Sequence, residues 1–234
     1  MNRRFHDRSH AGQLIAQQLE NYANRPDVLV LGLPRGGVPV AFEVAKALHA
    51  PLDVYLVRKL GVPGHAELAM GAIASGGVRV LNEAVVYELD IPRRVIDAAA
   101  RDQEIELRRR ERAYRGHGGA PELRGKTVIV VDDGMATGST MKAAVRAIKH
   151  QGAARIIIAV PTAAASSVRE LRPEADEVIS LVTPEDFVAV GYWYEDFGQT
   201  TDEEVTVLLD EARNRFDQPT ASRPIAERIS EKPV

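Results

Sequence analysis

The residues best suited to chemistry lie in one short run, "VIVVDDGMATGST", Val128 to Thr140. Four apolar residues lead into adjacent acids, Asp132 and Asp133, and then into a glycine- and hydroxyl-rich loop that continues as the helical segment "TMKAAVRAIKHQG". Gly134 and Gly138 permit tight turning and close backbone approach. Thr137, Ser139 and Thr140 add hydroxyls beside the open amides of a helix start, a combination that cradles one phosphate monoester. No lysine lies in the loop, so amides and the helix dipole carry the anion affinity. Carboxylates do not hold phosphate oxygens; they accept hydrogen bonds from a vicinal diol or reach a divalent cation through water. A ligand with a phosphate at one end and a sugar diol beside it satisfies both halves, as ribose 5-phosphate does.

A diphosphate needs a second cationic, amide-rich cradle at another strand end. "GLPRGG", Gly32 to Gly37, follows an apolar run and sets Arg35 beside Gly36 and Gly37, although alone it also reads as a plain turn. In "VRKLGVPGHAELAMG", Arg58 and Lys59 end a strand and Gly61, Pro63 and Gly64 make the next loop pliable; His65 reads as a solvated loop residue. Residues 187 to 197, "FVAVGYWYEDF", hold five of the chain's twelve aromatic residues, a density that suits a flat heterocycle held by stacking. Other chemistries fit poorly. The six histidines show no metal-ligand spacing, and no Gly-x-Ser-x-Gly elbow presents a nucleophilic serine. "APELRGKT", Ala120 to Thr127, imitates a triphosphate loop, but it precedes a strand where such a loop must follow one and open a helix.

The run from Val128 to Thr140 resembles, throughout its 13 residues, the phosphoribosyl diphosphate (PRPP) motif of the type I phosphoribosyltransferases. The resemblance implies that Asp132 and Asp133 hold the ribose hydroxyls and that Met135, Ala136, Thr137, Gly138, Ser139 and Thr140 hold the 5-phosphate. It makes "GLPRGG" the pyrophosphate loop, with a cis peptide near the Arg-Gly position, and "VRKLGVPGHAELAMG" the mobile loop over the reacting centre. Arg35, Gly36, Gly37, Arg58 and Lys59 then contact pyrophosphate, with Arg35, Lys59, Asp132 and Asp133 as the catalytic set. The aromatic segment is similar to the hood of purine salvage members, which implies base contacts from Phe187, Tyr192 and Trp193. It also implies Mg2+ held through water by Asp132 and Asp133, with Glu195 or Asp196 as a further ligand. The implied activity is transfer of a phosphoribosyl group from PRPP to a nitrogenous acceptor, a nucleobase, with loss of pyrophosphate, by a chain that self-associates. Two other readings use the same donor-binding residues: a PRPP-binding regulatory module without transfer, contacting RNA or protein, and a hydrolase of PRPP or a sugar phosphate.

The elements that must position these residues follow from pattern. Apolar runs at 28–34, 53–59, 127–133 and 155–161, each followed by a turn and a helical segment, predict strands buried on both faces. The expected fold is therefore α/β, with a mainly parallel central sheet flanked by helices and ligands at the strands' carboxyl ends, to which the resemblance adds a small C-terminal hood. Leu14, Ile15, Gln18, Leu19 and Tyr22 predict a first helix over 11–23, and Gly76 with Gly77 predicts the turn of a hairpin. After Pro92 a helix over 93–115 carries eight arginines against five interleaved acids, which reads as a solvated face and not as a nucleic-acid surface. The core is expected over 1–180, the hood and a terminal helix over 181–216, and a poorly ordered proline-containing tail over 217–234. With no cysteine, a net charge of −3 and no uncharged apolar run of spanning length, the chain reads as soluble and cytoplasmic, without membrane contact.

Overall fold

The computed structural model describes residues 4–116 and 118–217. From 218 onward the expected tail lies outside the described residues. Helix α1 (Arg8–Gln17) is followed by strand β1 (Val28–Gly32), helix α2 (Gly37–Leu48), and strands β2 (Leu52–Val54), β3 (Val57–Val62), β4 (His65–Ala74) and β5 (Val78–Leu81). Helices α3 (Glu83–Glu88) and α4 (Arg93–Arg115) come next. Then follow β6 (Thr127–Val131), α5 (Ser139–His150), β7 (Arg155–Thr162), α6 (Ala165–Leu171), β8 (Glu177–Val182) and, beyond a short 3-10 turn at Val190–Trp193, α7 (Asp202–Asp217).

Five strands form a parallel sheet in the order β2-β1-β6-β7-β8, and β3-β4-β5 form a separate antiparallel sheet. This is the α/β architecture expected, a parallel sheet flanked by helices. The β-branched runs suit it because alternate residues serve opposite faces. Val28, Val30, Ile129, Val131 and Ile157 pack with α1, α2 and α7, whereas Leu29, Leu31, Val128, Val130 and Ile158 pack with α5 and α6. Strands β1 and β6 pair in register from Val28 opposite Thr127 to Gly32 opposite Val131. Their two following loops therefore leave the sheet side by side, which places the candidate site.

Several elements differ from expectation. The first helix starts earlier, because Asp7 caps it by accepting from the His10 amide at 2.7 Å, and it stops at Gln17 with a 3-10 turn at Glu20–Tyr22 in place of a last helical turn. The apolar run at 53–59 is two strands. After Val54 the chain leaves β1: Tyr55 N still donates to Gly32 O, but Leu56 N donates to Ser75 Oγ, and β3 joins the antiparallel sheet. Strand β8, EVISLV, is half-buried along its length and is not among the expected apolar runs, and it spans the expected core boundary at 180. The hairpin turns at Gly76 and Gly77, both at positive φ, and α4 matches its expected bounds. Among the described residues no helix is long and apolar enough to cross a membrane.

Helix α4 has the solvated face its charges imply, with Glu104 and Arg108 and then Glu106 and Arg110 paired four residues apart. Its last arginine is different. Arg115, its side chain 2% exposed, donates through Nε to both Asp53 oxygens, through Nη1 to Glu111 and through Nη2 to Val54 O. Removing one partner of such a buried pair strands the other charge. Arg115→Ala is expected to lower unfolding free energy by about 3 kcal/mol in chemical denaturation, against less than about 0.5 kcal/mol for Arg108→Ala on the exposed face.

Candidate functional site

The loop after β6 and the loop after β1 face one another. Gly36 and Gly37 are glycines because no Cβ fits there: at Gly36 it would overlap the Asp133 carboxylate, and at Gly37 it would lie 2.7 Å from Val131 O and 2.8 Å from Asp132 Cα. The Pro34–Arg35 peptide bond is cis, one bond before the position the family resemblance implies. Arg35 is half-buried, and its charge is within electrostatic reach of the Tyr114 hydroxyl on α4. The Gly37 amide donates to Leu33 O at 3.0 Å, so the pyrophosphate contact expected from that N–H is already spent inside the loop.

Asp132 and Asp133 end up side by side, with the Asp133 amide donating to Asp132 Oδ1 at 2.9 Å. Burial pushes the Asp132 carboxyl well above the usual range, and the neighbouring Asp133 charge pushes it further. Burial also raises Asp133, against the opposing pull of Arg8, whose Nε donates to Asp133 Oδ2 at 2.8 Å. Such a pair resists carrying two full charges in the ligand-free protein. It is suited to exchange hydrogen bonds with a diol, which both donates and accepts.

Next along the chain, Gly138 adopts the left-handed conformation at φ 68° and α5 begins. Thr137, Ser139 and Thr140 are exposed at that helix start, with Thr137 Oγ1 3.2 Å from Ser139 Oγ. The Ala136 carbonyl accepts from Ser167 Oγ, which anchors the loop on α6. Met135 does not belong to the cradle. Its side chain is buried, its amide donates to Thr162 O and its carbonyl accepts from Ala164 N, because it forms a bridge to Ala163 on the neighbouring strand's extension.

Lys59 lines a cleft of about 510 Å³ together with Thr137, Ser139, Thr140 and Lys142, between the antiparallel sheet and α5. Arg58 is not in that cleft. Adjacent strand residues point to opposite faces, and Arg58 Nε donates to Gln103 on α4 at 2.9 Å. The expected long loop after Lys59 is instead a hairpin that turns at Pro63 and Gly64, Gly64 having φ 79°.

In the hood, Trp193 is buried with Phe5, Ala11 and Tyr194, so its indole does not face a ligand. Phe187 packs partly buried against the same cluster, and Tyr192 is 43% exposed. Glu195 and Asp196 are exposed, their amides donating to Phe5 O and His6 O. Among the described residues no three His, Asp or Glu side chains converge, so Glu195 and Asp196 do not complete a resident metal site with Asp132 and Asp133. Sequence reasoning missed Arg8, 125 residues from its partner Asp133, and it missed Tyr194, whose hydroxyl donates to Asp133 O at 2.6 Å. No local pattern marks Arg8; Tyr194 lay within the aromatic segment already singled out.

A carboxyl whose pKa is raised on folding binds its proton more tightly in the native state, so stability falls as pH rises from the unfolded value toward the folded one. Asp132→Asn is therefore expected to raise the melting temperature more at pH 8 than at pH 4. Thermal melts across that range check it; a gain independent of pH would show that Asp132 carries no such penalty.

A family model for the phosphoribosyl transferase domain matches residues 64–196. Proteins of Mycobacterium tuberculosis strains H37Rv and CDC 1551, provisionally named phosphoribosyl transferases, are 51% identical over 213 residues. That match covers 91% of this chain, and the chain spans about half the relatives' length, 48%. The crystal structure of TT1426 from Thermus thermophilus is 43% identical with a TM-score of 0.81, covering 89% of this chain and 98% of that one. With the acid pair, the hydroxyl-lined helix start and the facing glycine loop all in place on a parallel sheet, the chain belongs to the phosphoribosyltransferase family.

Proposed function

We propose that the chain transfers the 5-phosphoribosyl group of PRPP to a ring nitrogen of a nucleobase, releasing pyrophosphate. The observation that carries this reading is the run of half-buried acids and exposed hydroxyls at one helix start, pressed against the Arg35–Gly37 loop. Ala136 to Thr140 and the first amides of α5 hold the 5-phosphate, and Asp132 and Asp133 take the ribose diol. Arg35, Gly36 and Lys59 meet the diphosphate. Asp132 and Asp133 are the residues that would hold Mg2+ through water, where it would offset negative charge on the diphosphate.

The reaction breaks the bond from the ribose anomeric carbon to a diphosphate oxygen and forms one to the acceptor nitrogen. The bonding pair leaves with diphosphate, and the acceptor's N–H proton passes to solvent or to the departing phosphate. Among the described residues, no side chain around the acid pair is assigned the part of a strong base. Rate enhancement then rests on positioning and on cations where negative charge collects. The reading carries with it a cytoplasmic chain that associates with its own kind.

Pyrophosphate release from PRPP and Mg2+ with a panel of purine and pyrimidine bases tests it. Base-dependent release is expected, and Asp132→Asn with Asp133→Asn should lose it by about 100-fold or more. Release without base would make the protein a hydrolase; binding without release would make it a PRPP-responsive module. The strand alternation gives a finer check: Lys59→Ala should raise KM for PRPP about tenfold, about 1.4 kcal/mol, while Arg58→Ala changes it less than about twofold.

A further inference from the structure

The N-terminal segment and the hood meet more intimately than donor binding requires. Phe5 lies in a parallel bridge opposite Tyr194, its amide donating to Trp193 O and its carbonyl accepting from Glu195 N, and Arg4 lies over the Tyr192 ring, 4.6 Å from its centroid. Arg8 lies over Phe197, 3.9 Å from its centroid, with its side chain only 13% exposed. Its Nε donates to Asp133 Oδ2 at 2.8 Å and its Nη1 to Gly198 O at 2.7 Å. Gly36 stands beside Nε, where an added Cβ would come within 3.3 Å.

The guanidinium thus fills a flat slot with an aromatic face and two partners along its edge. Both partners, a carboxylate and a backbone carbonyl, accept hydrogen bonds and donate none. Arg8 is also a wall of a cavity of about 560 Å³, within the range of small-molecule sites, whose lining includes Asp7, Pro39, Asp196, Thr200 and Glu203. The same side chain lines that cavity and donates to Asp133. Acids on the lining disfavour an anion and suit a neutral or cationic ring.

We propose that Arg8 is a built-in occupant of the acceptor slot and determines specificity there. A planar, nitrogen-rich heterocycle with an amidine-like N–H edge displaces the guanidinium, stacks on Phe197 and donates to Asp133 and Gly198, whereas rings bearing a carboxylate are refused. Calling the occupant an acceptor rests on the transferase reading; the slot itself stands on geometry. An internal occupant lowers apparent affinity by the fraction of time the slot is filled, so removing it tightens binding.

Benzamidine, a planar amidinium, probes the slot without any turnover, so its outcome is separate from that of the pyrophosphate assay. By calorimetry the full chain with Arg8→Ala is expected to bind benzamidine at least about tenfold more tightly than wild type. Adding Phe197→Ala should abolish that gain, and benzoate should bind neither protein. Equal affinities, or a gain that survives Phe197→Ala, would overturn the proposal. Wild type supplies a second readout that needs no variant: on addition of benzamidine the NMR signal of the Arg8 Nε–H should shift while that of buried Arg115 stays. An unmoved Arg8 signal at high benzamidine would also overturn it.

Discussion

Two half-buried carboxylates held side by side are costly unless their charge is shared or opposed, and this site is organised around that cost. The register of β1 against β6 ends both strands at one level, so the loop at 33–37 presses on Asp132 and Asp133 with only glycine hydrogens between them. The contact that narrows the cleft also desolvates the acids. Arg8 opposes the Asp133 charge, the Asp133 amide serves Asp132, and the Asp133 carbonyl is satisfied by Tyr194. Without the two glycines the loops would separate, the acids would hydrate, and the arginine would lose its reason to be there.

That requirement ties the segment before α1 to the hood. Arg8 is the first residue of α1, just after the Asp7 cap, and the segment before it pairs with the hood at Tyr194. Trp193, Phe5 and Ala11 form the small apolar cluster beneath that pairing. The hood therefore rests on the N-terminal segment and on Asp133 at once, and a change at any of the three moves the other two. Its aromatic density is explained in part by this packing. Of its five aromatic residues, Trp193 and Tyr194 are buried, and Tyr192 and Phe197 carry arginines on their faces.

What could be read from sequence was whatever a short window encodes. Strand, acids, loop and helix follow one another within Val128 to Thr140, so their order alone fixed the site's place at the end of β6. The paired glycines after Arg35 were legible as a loop, but their closeness to the acids was not, since it depends on which strands are neighbours. Met135 sat inside the motif yet serves a bridge to Ala163, a partner known only once β7 lies beside β6. The same holds for the break between β2 and β3, which turns on Ser75, and for Arg8. Arg58 is the contrary case: strand alternation alone separates it from Lys59, but only when both are placed inside a strand and not at its end.

The cavity lined by the hydroxyl-rich helix start and the cavity lined by Arg8 share no lining residue, and they differ in charge. Lys59, Lys142 and Arg146 border the one beside the hydroxyl-rich helix start, with Lys142 and Arg146 steadied by Glu170 and Glu174. Asp7, Asp196, Glu203 and Glu204 border the one behind Arg8. A polyanion is drawn to the first and repelled by the second, and a cation experiences the reverse. The two openings therefore favour ligands of opposite charge. Because the cationic and acidic linings offset one another, a net charge of −3 for the whole chain carries no trace of the arrangement. It exists only as a distribution, created when the antiparallel sheet folds over α5 and the N-terminal segment folds under the hood.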